Sequence, residues 1–244
     1  MTDTASNMKS SLFSLLEELA SLHPYVSFAA VRSALGDSPL AGKPARLREY
    51  LSEAMEKRVI YDAGRSWYSS LEKTVVLDPE ATALLRSALA KRFPFLPHYV
   101  WSTQQVNPWM HHLLGKFVQF VFVESGGEDD VAAFLRNEGW NVVVNPNSRS
   151  ATEFTPGKHS VVIRSIRRKF NPTVEPEVET VLVDLMLENG RLRLMDDGER
   201  QEMSRKLVTT YRVEMASLLA RLGKHHRKLV DLVGAEIKPI IGEK

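Results

Sequence analysis

Apolar side chains at Leu12, Phe13, Leu15, Leu16, Leu19 and Leu22 follow a helical repeat, and their spacing predicts a helix over residues 10–22 with Ser10 or Ser11 as its cap. His23-Pro24 closes it, because a residue before proline is pushed out of the α region. Ser27 is placed to cap a second short helix through Leu35, and Gly36-Asp37-Ser38-Pro39 stops that one. A third helix starts at about Pro44, a favoured first-turn proline, and runs to about Arg58 with Leu47, Leu51, Ala54 and Met55 inward. Val59-Ile60-Tyr61 and Trp67-Tyr68-Ser69 then read as two short strands around a turn at Asp62-Ala63-Gly64-Arg65, where glycine permits the tight geometry. Three short helices followed by a two-stranded ribbon is the order of a winged helix-turn-helix, which defines a first domain over residues 1–76.

Leu77-Asp78-Pro79 marks the boundary to a second domain over residues 77–244, entered by a helix over 79–91 that Phe93-Pro94-Phe95-Leu96-Pro97 breaks. Beyond it the period alternates between strand and helix. Residues 99–102, 117–124, 141–144 and 160–166 read as strands, 129–137 and 177–187 as helices, and 199–233 as a long helix interrupted near Gly223. This alternation predicts an α/β (α+β) fold, with a mixed sheet flanked by helices behind the winged head.

At 244 residues, two modest domains fit the length better than one large one. The proportions of 43% hydrophobic and 25% charged residues are those of a globular chain with enough apolar surface for a core. No cysteine is present, which removes disulfides, thiolate metal sites and cysteine nucleophiles and fits a reducing compartment. The start of the chain is polar and no apolar run approaches the roughly 20 residues that cross a bilayer, so the expectation is a cytoplasmic protein without a membrane partner. The net charge of +2 is too small for the whole molecule to steer a polyanion, so any nucleic-acid surface must come from local clustering.

Such a cluster opens the third helix, where Lys43, Arg46 and Arg48 stand where a recognition helix meets the major groove and its flanking phosphates. Arg65 occupies the tip of the ribbon, within reach of an adjacent phosphate or the minor groove. From Lys43 to Arg65 six Lys or Arg stand against four Asp or Glu, and the acids Glu49, Glu53, Glu56 and Asp62 fall mostly later. The cationic end is therefore the end expected to approach double-stranded DNA; the competing reading is a solvated face on a protein-binding module. Arg164, Arg167, Arg168 and Lys169 form a second cluster as a strand leaves the sheet, suited to further phosphate contacts or to a solvated loop. A third, Arg221, Lys224, His225, His226, Arg227 and Lys228, fits DNA, an acidic partner or the helix dipole equally.

Catalytic readings find less support. His111-His112 are neighbours, so on a helix they diverge by about 100° and do not share a metal. Glu124, Asp129, Asp130, Glu179 and Asp184 are the best material for a magnesium-dependent nuclease, yet residues 141–146 lack the acid and the Glu-x-Lys such a site requires. Phosphate-loop, dinucleotide-turn and nucleophile-elbow motifs do not occur, so no catalytic residue, metal or cofactor is expected. Trp101, Trp109, Trp140 and the phenylalanines of residues 117–122 read as core.

The winged head, Val100-Trp101-Ser102-Thr103 leading to residues 117–124, Pro176-Glu177-Val178-Glu179-Thr180-Val181-Leu182-Val183-Asp184-Leu185, and Tyr211-Arg212-Val213-Glu214-Met215-Ala216-Ser217-Leu218-Leu219 before a basic helix end together resemble the AbiEi family of antitoxin-type transcriptional regulators. Thr180 stands where related sequences tend to carry lysine, and residues 222–228 replace their arginine run. The resemblance covers most of the chain. It implies an antitoxin and autorepressor of a toxin-antitoxin, abortive-infection operon that binds promoter repeats and counteracts a cognate nucleotidyltransferase toxin. It also implies a restriction-endonuclease-like second domain without the active site. The toxin's own signature, Gly-Ser followed by paired aspartates, is absent from this chain.

Overall fold

A computed structural model describes residues 2–147, 156–157, 159–166 and 175–223. The chain divides into two units, Val76–Ser204 and a unit that joins Met1–Val75 to the chain from Arg205 onward. The sequence reading divides the chain into residues 1–76 and 77–244.

In the unit built on the chain start, α1 (Thr2–Leu22) precedes β1 (Tyr25–Ser27), α2 (Phe28–Ala34), α3 (Pro44–Glu56), β2 (Tyr61–Asp62) and β3 (Trp67–Ser69). Ser27 caps α2 as its position requires, its hydroxyl accepting from the Ala30 N–H at 3.0 Å. Pro44 occupies the first turn of α3. The strands form an antiparallel sheet in the order β1-β3-β2, with Val26 opposite Tyr68 and Asp62 opposite Tyr68 on its other side. Three of its features differ from the sequence reading. Helix α1 starts at Thr2, the ribbon gains β1 as a third strand, and Ile60 leaves the strand to join the core with Leu12, Leu16, Val31, Leu47 and Leu51. Three residues after a proline are too few to display a two-residue period, which is why β1 is invisible in the sequence.

The return segment completes this unit. Among the described residues, the predicted helix over 199–233 holds two helices, α8 (Asp197–Thr210) and α9 (Met215–Arg221), and a break comes before Gly223. Its cause is tertiary. The buried Tyr25 hydroxyl donates to the Tyr211 carbonyl at 3.0 Å and accepts from the Val213 N–H at 2.9 Å. Arg212 N–H donates to Lys73 O, and Thr74 bridges to Arg212 in parallel. Backbone groups claimed in this way are lost to helix hydrogen bonding. Helix α9 then rests on the hairpin turn, where Ala216 N–H donates to Ala63 O at 3.2 Å. Gly64 has φ +90° there, and a β-carbon on it would lie 2.8 Å from the Ala216 methyl.

The other unit holds α4 (Glu80–Arg92), β4 (His98–Ser102), α5 (Thr103–Val106), β5 (Val118–Val123), α6 (Glu128–Asn137), β6 (Asn141–Val144), β7 (Ser160–Ser165), α7 (Val178–Leu192) and the start of α8. Its sheet is mixed, in the order β4-β5-β7-β6, with β4 antiparallel to β5 and the other neighbours parallel. Strand alternation sorts the side chains. Val100, Val121, Val123, Val161 and Ile163 pack with Leu85 and Leu89 of α4 and Val131 and Leu135 of α6. On the opposite face Tyr99 stacks on Phe122 and Trp101 on Phe120, with ring centroids 4.6 and 4.3 Å apart. Helix α7 meets that face, since Tyr99 donates to Asp184 at 2.9 Å and Arg164 of β7 reaches Glu188. Both faces being covered is why these strands read as near-continuous apolar runs. Among the described residues the protein is mixed α/β with two sheets, and no helix is long and apolar enough to cross a membrane.

Candidate nucleic-acid interface

Helix α3 buries Leu47, Tyr50, Leu51 and Ala54 and leaves Lys43, Arg46 and Arg48 exposed at its amino end. Lys43 is the residue before the first turn and offers no side-chain cap, so the helix start keeps its unpaired N–H groups together with three cations. Arg65 is exposed in the turn between β2 and β3. That turn is tied to the head, because Phe28 N–H at the start of α2 donates to Ser66 O at 2.9 Å. The adjoining strand is anchored by Tyr68, whose hydroxyl burial holds above its ordinary pKa, with the Arg48 charge acting in the opposite direction.

The two arginines of α3 are held by aromatic rings. The Arg46 guanidinium lies 5.1 Å from the Tyr50 ring centre and its Nε donates to the Tyr50 hydroxyl at 3.2 Å. Arg48 lies 4.7 Å over the Phe28 ring. Each pairing leaves the charge at the surface while cutting the rotamer freedom lost when an anion is bound. The pairing of Arg46 with Tyr50 has an i,i+4 signature in the sequence. The one of Arg48 with Phe28 has none, because it joins two helices. Arg32 adds a cation that the sequence does not single out: its Nε donates to Ala41 O at 2.7 Å, just ahead of α3.

Acidic side chains lie mostly away from this end. Glu53, farther along α3, accepts from Lys9 at 2.5 Å and Lys57 at 3.0 Å, and these two ammonium groups hold its carboxyl below the usual range. Glu49 is the exception, 3.6 Å from Arg46 and 65% exposed.

Of the second basic cluster, only Arg164 lies among the described residues. Arg164 is buried and spent within the fold, its Nε donating to Glu188 Oε2 at 3.0 Å and its Nη1 to Pro146 O at 2.7 Å. It is therefore a core ion pair and not a phosphate contact. Arg167, Arg168 and Lys169 lie outside the described residues, as does the chain from Lys224. The carboxylates weighed for a nuclease are dispersed. Glu124, Asp129 and Asp130 are exposed around the β5–α6 connection, Glu179 is buried in α7, and Asp184 accepts from Tyr99. Among the described residues no group of three or more His, Asp or Glu is placed to hold a metal ion. His111 and His112 converge instead on Glu199, whose Oε2 lies 2.9 Å from His112 Nδ1.

The chain is thus a mixed α/β protein with a small antiparallel sheet, a larger mixed sheet and an exposed cationic helix start. It belongs to the DUF6577 family, a family of unknown function whose model matches residues 46–233, from Arg46 in α3 to beyond α9. Neither the curated proteins nor the solved structures contain a match to it.

Proposed function

We propose that the protein binds double-stranded DNA through α3 and the β2–β3 hairpin, used as a winged helix-turn-helix, and regulates transcription. The observation that carries this reading is the grouping of Lys43, Arg46 and Arg48 as exposed cations on the amino-terminal turns of α3, with Arg65 exposed on a hairpin turn bonded to α2. Cations there reach phosphates on either side of a major groove that admits one helix. The order of α1, α2 and α3 before a β-hairpin supports the winged-helix reading, and the helix-covered mixed sheet accords with a restriction-endonuclease-like second unit. The resemblance to AbiEi regulators extends the reading to an antitoxin that represses its own operon and counteracts a nucleotidyltransferase toxin.

An electrophoretic mobility shift series with the DNA upstream of its own gene, against random DNA over a range of salt, tests it. The expected result is a preference for the upstream DNA that weakens steeply with salt. Arg46→Ala with Arg48→Ala should lower affinity for all sequences and reduce the log–log salt slope by about 2, one for each lost phosphate contact. Binding no better than that of random DNA would refute regulation at that site, and an unchanged slope would remove the arginines from the interface.

A further inference from the structure

The buried side of α3 is set by Leu47, Tyr50, Leu51 and Ala54. At about 100° per residue, the side facing directly away from them carries Ala45, Glu49, Ser52 and Glu56, all exposed. Arg46 and Arg48 fall on the two shoulders between these sides, Arg46 packed against Tyr50 and Arg48 over Phe28 of the neighbouring helix. The arginines are therefore held off the midline of the helix.

We infer that base selection is carried out by Ala45, Glu49 and Ser52, with Glu49 reading a cytosine, while Arg46 and Arg48 grip the phosphates on either side. The inference rests on the DNA-binding reading above and assigns the parts of that surface. A helix docked in a major groove turns its midline to the base edges and its shoulders to the walls. A glutamate in that position accepts from the exocyclic amine of cytosine, a serine hydroxyl serves as donor or acceptor, and an alanine methyl packs against a thymine methyl. Arg46 lies 3.6 Å from Glu49, so the carboxylate enters the groove beside a cation. A carboxylate among phosphates is otherwise repelled, so Glu49 penalises every duplex that does not offer it an amine to accept from.

The test is selection of bound sequences from a randomised duplex pool with the full-length protein, followed by titration of the selected and random duplexes with Glu49→Ala, Glu49→Gln and Arg46→Ala. For Glu49→Ala the expected result is unchanged or tighter binding of random DNA and a loss of about tenfold or more in the ratio of selected to random affinity. Glu49→Gln should move the preference at one base position from cytosine to adenine. Arg46→Ala should weaken both duplexes alike and leave the selected motif intact. If Glu49→Ala instead tightens binding to every duplex alike and the motif persists, Glu49 is a bystander and the inference fails while the DNA-binding reading stands. Wild-type protein that retains no duplex from the pool overturns the DNA-binding reading itself.

Discussion

Replacing Glu188 with alanine tests the electrostatics of the larger unit most directly. Glu188 is 1% exposed and accepts from Arg164 of β7 and from Arg191 one turn along α7. Arg191 is partly exposed and can turn to water, so its loss of a partner costs little. Arg164 has no such exit. With Glu188 gone, its guanidinium keeps the Pro146 carbonyl at 2.7 Å but remains a desolvated charge without a counter-charge. Breaking a buried pair in this way costs about 3–5 kcal/mol, a large part of the roughly 5–15 kcal/mol that holds a domain together. That corresponds to a fall in melting temperature on the order of 10 °C. Urea unfolding followed by far-ultraviolet circular dichroism reads the change as a lower midpoint at constant m-value. Arg164→Met together with Glu188→Leu should restore most of the stability, because the charge and its countercharge leave together. The exposed pair Arg58 and Glu72, 3.8 Å apart, is the internal control. If Glu188→Ala costs no more than Glu72→Ala, about 0–1 kcal/mol for a surface pair, the burial argument is wrong.

Gly64→Ala meets the Ala216 methyl at 2.8 Å and a strained φ of +90°, whereas Gly36→Ala at φ +52° meets nothing within 4 Å. Thermal melts should therefore show Gly64→Ala as the costlier change, by at least about 1 kcal/mol, and equal losses would mean that α9 does not rest on the turn. Tyr25→Phe leaves the Val213 N–H and Tyr211 carbonyl without their hydroxyl partner and should cost about 1–3 kcal/mol in the same assay. Hydrogen bonding from His112 depresses the Glu199 carboxyl, and that from Ser165 depresses Glu128. Both carboxyls bind protons more readily in the unfolded chain, so their stabilisation is complete above the ordinary carboxylate range and is lost as pH falls through their lower folded values. Unfolding midpoints measured from neutral pH downward should fall in that acid window, and Glu128→Gln should flatten the fall.

Much of the local structure was legible because its causes are local. The cap at Ser27, the first-turn proline at Pro44 and the apolar repeat from Leu47 to Ala54 each act within a turn or two of chain, and the helices follow from them. The strands of the mixed sheet were legible for the opposite reason, since burial on both faces leaves runs such as residues 118–123 almost wholly apolar. The exposed positions of Lys43, Arg46 and Arg48 followed from the same helical repeat that put Leu47 and Leu51 inside. The role of Arg164 did not, since a basic residue at a strand end looks the same whether it meets water or a glutamate 24 residues later.

By itself, then, the sequence determined where most of the helices and the strands of the larger sheet would lie, which face of α3 would be solvated and where its positive charge would collect, because propensity, capping and periodicity are properties of neighbouring residues. Only the tertiary structure decided the third strand of the small sheet, the break at residues 211–214, the attachment of α9 to the hairpin turn and the burial of Arg164. Each of those depends on backbone or charged groups brought together from distant parts of the chain, and a hydrogen bond between residues 25 and 213 leaves no periodic trace in the order of amino acids between them.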